Sequence, residues 1–576
     1  MKATLLVLAL SLLAGTFAEQ KMTRPADDVL GYVRAAFGDF ARSADSLNEA
    51  VRHPGDGRAM ERALLQCRLR YKRIEFFLEY FFRSAALIYN QPAKYEVEEP
   101  FMEYEAPRGL QLIEDMLYAR QEDSTKGMLI EQSRAVAESA RDLGSLLYGF
   151  HLEDAPLMES LRLELIRVMT LGITGYDAPL SKSGVEESEA AMEAIDRCLQ
   201  PYLAHGGEAD SIRFYLDQSL RMLRASPGFD GFDRLAFLVR GALPLQRHLG
   251  EWIDQNGLFC QTVPTLDYRS ADLFSPGAID LRALPGGADV HALPGNGRVA
   301  LAERGRELFS DPSLSSDGSR SCATCHRPGT YFTDGRVVSP AMPGFPPLRR
   351  NTPTLLYAAY QYSQFWDGRA RSLEDQVADV LTNRAEMGID TSRKDVRKAA
   401  AALAAYVRTL TPFNSRFDRY MTGDRRALTP DDVRGFNLFM GKARCATCHF
   451  APLFNGLRPP LYDVTEYEVL GTPATADLLH PVADTDKGRY GVYPIPFYRG
   501  AFKTPTVRNT AVTAPYMHNG SLPDISTLVA FYNRGGGKGI GLAAAGQTLS
   551  GDTLHLSAKE VRQLTAFLNA LTDRSL

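Results

Sequence analysis

Residues 321–329 read SCATCHRPG and residues 444–452 read RCATCHFAP. Both hold the pentapeptide CATCH, at Cys322–His326 and Cys445–His449, so one reactive cluster occurs twice, 123 residues apart. Two thiols at this spacing, with a histidine directly after the second, attach haem covalently. The sulfurs of Cys322 and Cys325, or of Cys445 and Cys448, add across the porphyrin vinyls, and His326 or His449 lies beneath the iron as proximal ligand. Structural zinc is the alternative, but it draws four ligands into one cluster, which would bring the two motifs together. Two covalently bound c-type haems are therefore expected.

The flanks repeat as well. NGRVALAERGRELFS (296–310) is an amphipathic stretch before the first motif, and RKDVRKAAAALAAYVRTLTPF (393–413) closes that unit. The second copy runs LTPDDVRGFNLFMGKARCATCH (428–449), a loop-rich insert, then LSAKEVRQLTAFLNALTD (556–573). Helix, CxxCH, loops and closing helix is the plan of a small c-type cytochrome. Two tandem class I cytochrome c-like domains with long loops are expected over 299–412 and 413–576.

At 576 residues the chain exceeds one ordinary core, and domain sizes suggest roughly three or four units. LLQCRLRYKRIEFFLEYFFRSAALIYN (64–90), SRAVAESARDLGSLLYGF (133–150) and SIRFYLDQSLRMLRAS (211–226) carry apolar residues at three- and four-residue spacings, so 19–262 reads as a helical bundle. Residues 263–298 are rich in Pro and Gly and form a linker or wrapping segment. The fold class is all-α. At the start, Lys2, the apolar run Leu5–Leu13 and a cut after Ala18 make 1–18 a secretory signal peptide, which implies export, to the periplasm where the host has two membranes. No later stretch has the run of about 18 apolar residues that a membrane span needs. A net charge of -4 gives no basic surface for nucleic acid. Cys67, Cys198 and Cys260 allow at most one disulfide among them and read as small buried apolar residues.

The far face of each haem decides its chemistry. No histidine lies between His326 and His449, so on the first haem the sixth ligand is Met342, Met387 or nothing, and an open iron can bind peroxide. In SQFWDGRARSLEDQVADVLTNRAEMG (363–388), Glu386 could move a proton on bound peroxide, Gln376 could hold it by hydrogen bonds, and Trp366 could pass an electron between redox centres. Taken alone, such residues are more often a solvated acid and a core tryptophan.

At these residues the chain resembles the bacterial dihaem cytochrome c peroxidase family, including its MauG-type branch. The resemblance covers roughly 297–576 and rests on ordered motifs: CATCH, RRNTP, FWDGRA, AEM, CATCH, FKTPTVRN, TAPYMHNGSL and FYNRGG. It implies a peroxidatic haem on His326, with Glu386 as acid–base residue, Gln376 in the distal pocket and Trp366 between the haems, and an electron-entry haem on His449. It also implies a calcium ion held by Asn351 and the carbonyls of Thr513 and Pro515, oxygen ligands of the kind calcium prefers.

Three departures refine that picture. The stretch VVSPAMPGFPPLRRNTP (337–353) has no histidine where many members carry a distal one, which implies a first haem that is reactive when fully oxidised. Val380 stands where proline is frequent. Ala443 stands where the MauG branch has a tryptophan two residues before the second CxxCH. On the second haem, family spacing places Tyr532 as distal ligand, with Met517 and His518 as rivals. More faintly, the N-terminal region resembles imelysin-like bundles through PRGLQLIEDMLY (107–118), with Gln111 replacing the histidine of their G-x-H-x-x-E and leaving Gly109 and Glu114. A docking or stabilising role is preferred there. His53, His151, His205 and His248 lack ligand spacing and read as surface or satisfied residues.

The leading reading is an exported peroxidase that reduces hydrogen peroxide with electrons from a small soluble cytochrome c or cupredoxin, docking over the exposed edge of the second haem. A homodimer is compatible with it. The alternatives are a MauG-like oxidase of a protein or small molecule, and a non-enzymatic electron-transfer or peroxide-sensing module.

Overall fold

The computed structural model describes residues 24–53, 57–98, 103–118, 123–203, 206–285, 295–390 and 395–574; the proposed signal peptide, His205 and residues 286–294 of the linker lie outside them. Among the described residues the chain is mostly helical. It has two small antiparallel strand pairs, Glu96–Glu98 with Glu103–Glu105 and Tyr467–Val469 with Ala501–Lys503.

In the N-terminal region, the helix Pro25–Arg52 opens with proline and has Asp27 and Asp28 in its first turn, where the unbonded N–H groups and the helix dipole favour both. Val29, Val33, Phe37, Phe40, Ala44 and Leu47 form one buried face against the helices Gly57–Lys72 and Asp123–Asp142. The centre of this bundle is charged. Arg68, Lys72, Glu75, Glu114, Asp177 and Glu187 are all buried. Gln111, at the imelysin-like position, donates to Asp177 at 3.0 Å, and Arg68 donates to Glu187 at 2.7 Å. Lys72 pairs with Glu75 at 2.8 Å and also with Asp177. Two fixed side-chain cations, Arg68 and Lys72, thus pair with carboxyls around Gln111 and Glu114.

Around each CATCH motif the same helix crossing recurs. The helix Gly295–Phe309 packs on Val396–Arg408, and Pro430–Met440 packs on Ala558–Ala570. Both first helices carry RGxxLF, at Arg304–Phe309 and Arg434–Phe439. A side chain on Gly305 would overlap the Ala402 carbonyl, and one on Gly435 the Gln563 carbonyl. Glycine is what lets the helices touch. The phenylalanine ending each repeat meets an aromatic of the closing helix, Phe309 with Tyr406 at 5.2 Å and Phe439 with Phe567 at 5.3 Å.

The described part of the Pro/Gly-rich segment packs on both neighbours. Val263, Leu266, Tyr268, Leu273 and Ile279 are buried; Thr265 donates to the Leu461 carbonyl, and Phe274 lies 5.9 Å from Phe417. The strap therefore ties the N-terminal region to the chain around the second motif. Further contacts join the same two parts. The Arg234 guanidinium fills the space beside Gly441, the Leu235 N–H donates to Asn437 at 3.0 Å, and Tyr176 meets Phe450 at 5.5 Å. Lys94 pairs with Glu466, and with Glu468 at 3.1 Å.

Candidate active site

Both CATCH motifs line one cavity of about 1000 Å³, at the upper end of what ligand pockets usually span. At the first, Ser321 and Thr324 cap each other across the helical turn Cys322–Cys325, the Ser321 N–H donating to the Thr324 hydroxyl at 3.0 Å. His326 follows in a non-helical conformation, and its Nδ1–H donates to the Phe332 carbonyl at 3.0 Å. At the second, His449 Nδ1–H donates to the Pro505 carbonyl at 2.9 Å. A carbonyl can only accept, so both bonds fix the tautomer and leave Nε2 unprotonated. Burial lowers the pKa of both rings, that of His449 to about 4. Neutral imidazole with Nε2 free is the form that binds a metal, and the Nδ1 bond is the orienting contact such ligands usually have.

Burial pushes the thiols of Cys322 and Cys445 up to about 12. Among the described residues, the one group of three His, Cys, Asp or Glu side chains whose donor atoms converge is Glu208, His248 and Glu251, and it includes no residue of either motif. These residues fit two separate covalent haems, and not one tetrahedral zinc.

The expected distal residues reach the same cavity. Gln376, Glu386 and Met387 line it, whereas Met342 is buried away from it. Gln376 lies on the helix Leu373–Thr382, whose N-cap Ser372 accepts from the Asp375 N–H. Val380 is inside this helix, where proline would remove a hydrogen bond and clash with the preceding turn. The segment is thus helical up to Thr382. Glu386 follows a short turn, its Oε2 accepting from Asn383 Nδ2 at 2.9 Å. Burial raises its carboxyl pKa, only partly offset by Arg369 and Asn383.

Trp366 lines the cavity and donates its Nε1–H to the Asn351 carbonyl at 2.9 Å. Asn351 is buried; its Nδ2 donates to the Arg336 carbonyl at 2.8 Å, and its backbone N–H to the His518 carbonyl at 2.7 Å. That last bond draws RRNTP against TAPYMH. Asn351, Thr513 and Pro515 all line the cavity, and Asn351 Oδ1 accepts no hydrogen bond from any described residue.

On the second side, Tyr532 and Met517 line the cavity, and no described residue hydrogen-bonds the Tyr532 hydroxyl. Burial raises its phenol pKa, with further contributions from Cys448 and Cys445, which locates Tyr532 beside the second motif. His518 is already engaged: its Nε2 lies 2.6 Å from Asp484 and its ring stacks on Phe502 at 3.5 Å. Ala443 is buried in the cavity wall.

Sequence reasoning missed the supporting contacts. Asn383 orients Glu386, and Arg350 bridges Asp367 at 2.6 Å and Asp486 at 2.8 Å, tying FWDGRA to the loop beyond the second motif. Only the repeated RGxxLF could have been noticed beforehand. Cys448, Cys445 and His449 are half-buried, and Lys94 is close enough to act electrostatically on Cys448. The first motif is followed by exposed Arg327, Pro328 and Gly329.

A family model described as di-haem cytochrome c peroxidase matches residues 299–399. Cytochrome-c peroxidase IdrP1 of Denitromonas iodatirespirans is 34% identical over 314 residues, covering 48% of this chain and 81% of that protein. Methylamine utilization protein MauG of Methylorubrum extorquens is 34% identical over 298 residues, 48% of this chain and 78% of that protein. Cytochrome c551 peroxidase of Nitrosomonas europaea is 30% identical over 260 residues, 41% and 73%. Among solved structures, the diheme peroxidase BthA from Burkholderia thailandensis is 26% identical, covering 48% of this chain and 86% of that one, with a TM-score of 0.38. On these relatives and on the paired motifs, the chain belongs to the di-haem cytochrome c peroxidase family.

Proposed function

We propose that this oxidoreductase is a dihaem c-type peroxidase that reduces hydrogen peroxide to water, working in the periplasm after export through residues 1–18. Its units would be the helical bundle 19–262, the strap 263–298, a peroxidatic domain 299–412 and an electron-transfer domain 413–576. The observation that carries the reading is the asymmetry of the cavity: beside the first CATCH motif stands the half-buried carboxyl of Glu386, and beside the second the unbonded hydroxyl of Tyr532.

When bound, the haems on His326 and His449 would supply the iron that binds peroxide and the path by which electrons reach it. The chain's own residues handle protons and position. With Oε2 held by Asn383, Oε1 of Glu386 is the oxygen free to take a proton from peroxide and return it to the departing water. Burial keeps that carboxyl closer to neutral pH than an exposed one, which suits a group that must both accept and donate. The Gln376 amide can hold peroxide from the helix side. Trp366, fixed through its indole N–H in the wall of the cavity that both motifs line, would serve as the electron path between them. Asn351 Oδ1 with the carbonyls of Thr513 and Pro515 offers uncharged oxygens for calcium, and Tyr532 is the side chain best suited to ligate the second haem.

Electrons would come from a small cytochrome c or cupredoxin. A donor approaching the second motif meets the N-terminal region there, so docking on that face would use that region's surface. Tyr532 favours a second, MauG-like reading as an oxidase, while buried Ala443 offers no aromatic exit for it. Steady-state consumption of peroxide with a reduced small cytochrome c tests the choice: turnover supports the peroxidase, and its absence in a protein carrying two haems rejects it.

A further inference from the structure

Lys503 ends the strand Ala501–Lys503, in the wall of the cavity. It is 7% exposed. Its backbone N–H donates to the Trp366 carbonyl at 2.7 Å, which anchors it beside the indole. The ammonium donates to Gln361 Oε1 and to the Ser363 carbonyl at 3.0 Å. Both partners are neutral, and the third donor has no partner among the described residues.

A buried ammonium without a counter-charge is costly, and proteins keep such a group where an anion balances it. Here no described residue provides one within ion-pair distance. Asp367, the one carboxylate that acts on Lys503 electrostatically, is already shared by Arg350 at 2.6 Å and Arg369 at 3.2 Å. Desolvation accordingly drives Lys503 far down, to about 7. Arg350, another cation in this wall, has Asp367 and Asp486, and Lys487 is exposed. A c-type haem brings two carboxylates into the cavity as its propionates, whereas peroxide is neutral and calcium a cation.

Resting on the dihaem reading, we infer that Lys503 is a positioning residue whose ammonium binds a haem propionate at the junction between the two motifs, beside Trp366. A fixed cation at a propionate stabilises the reduced haem, which carries one more electron, so the residue also sets that haem's potential.

The test is a redox titration of the purified holoprotein, wild type against Lys503→Met, Lys503→Gln and Lys503→Arg, with haem counted as the pyridine haemochrome. The expected result is two haems per chain in every form. In the Met and Gln variants at least one midpoint potential should become more negative, by a tenfold or greater change in the reduction equilibrium, about 59 mV for one electron. The Arg variant should stay near wild type, and the propionate bending bands in resonance Raman spectra should shift in Met and Gln alone. Should Lys503→Met lose haem, Lys503→Gln, which keeps a hydrogen-bonding head group, carries the comparison. Two haems with unaltered potentials in the Gln variant would overturn the inference and leave the dihaem reading standing. Fewer than two covalent haems in the wild type would overturn both.

Discussion

The Trp366 indole and Asn351 are locked together, Nε1–H donating to the Asn351 carbonyl at 2.9 Å. The side chain proposed to carry electrons is therefore held by a residue proposed to bind calcium. Chelating calcium should lower peroxide turnover several-fold, and Asn351→Ala should lower it comparably while becoming indifferent to chelator. If chelator slows Asn351→Ala as much as the wild type, this link is wrong.

Glu386→Gln should separate catalysis from stability. Loss of a general acid–base group costs about 10²- to 10⁴-fold in rate, with haem content unchanged. Burial raises the Glu386 pKa above its ordinary value of 4.5, so the ionised carboxyl destabilises the fold. The stability it contributes is present below the unfolded pKa and is lost as pH rises through the folded one. The Gln variant should accordingly melt higher than the wild type at pH 7 and equal to it below about pH 4.5. Equal melting temperatures at both pH values would remove the burial argument.

Tyr532→Phe should change the spectrum of the second haem, and Met517→Leu should leave it as it is. His518→Gln should act on the wall alone, because Nε2 of His518 is committed to Asp484. A second-haem spectrum sensitive to Met517 and not to Tyr532 would reverse the assignment.

Gly441→Ala tests the docking of the N-terminal region. The new methyl would meet the Arg234 guanidinium at 2.5 Å, and that group is fixed by the carbonyls of Ile173, Phe229 and Phe232. Overpacking of this kind costs about 1–3 kcal/mol, which urea denaturation would read. A stability unchanged within about 0.5 kcal/mol would mean the contact gives way freely.

What was legible beforehand was mostly local in sequence. The CATCH motifs are contiguous and carry their chemistry in five residues, so the expectation of two haem sites could be drawn without a structure. The helical flanks followed from periodicity, and the strap from its Pro and Gly. The charged contacts were not legible. Lys94 and Glu468 are separated by 374 residues, and nothing in either neighbourhood marks them as partners. Gln111 could be read as a missing histidine, but not as the neighbour of a buried Lys72 and Arg68. Val380 could be noted as a departure, and its sense emerged once its segment proved helical. The same holds for Gly305 and Gly435, whose repetition is visible and whose reason is a helix crossing. Lys503 sits in a quoted motif, yet its lack of a carboxylate partner is a property of the cavity.

The two proposed haems share a mode of attachment and differ on the opposite face. The most direct measurement is the low-temperature EPR spectrum of the fully oxidised protein, with the haem count taken on the same sample. Two haems per chain are expected, one giving a high-spin signal that peroxide alters and one a low-spin signal. Two low-spin signals, with the first iron closed by a ligand from the chain, would contradict the account.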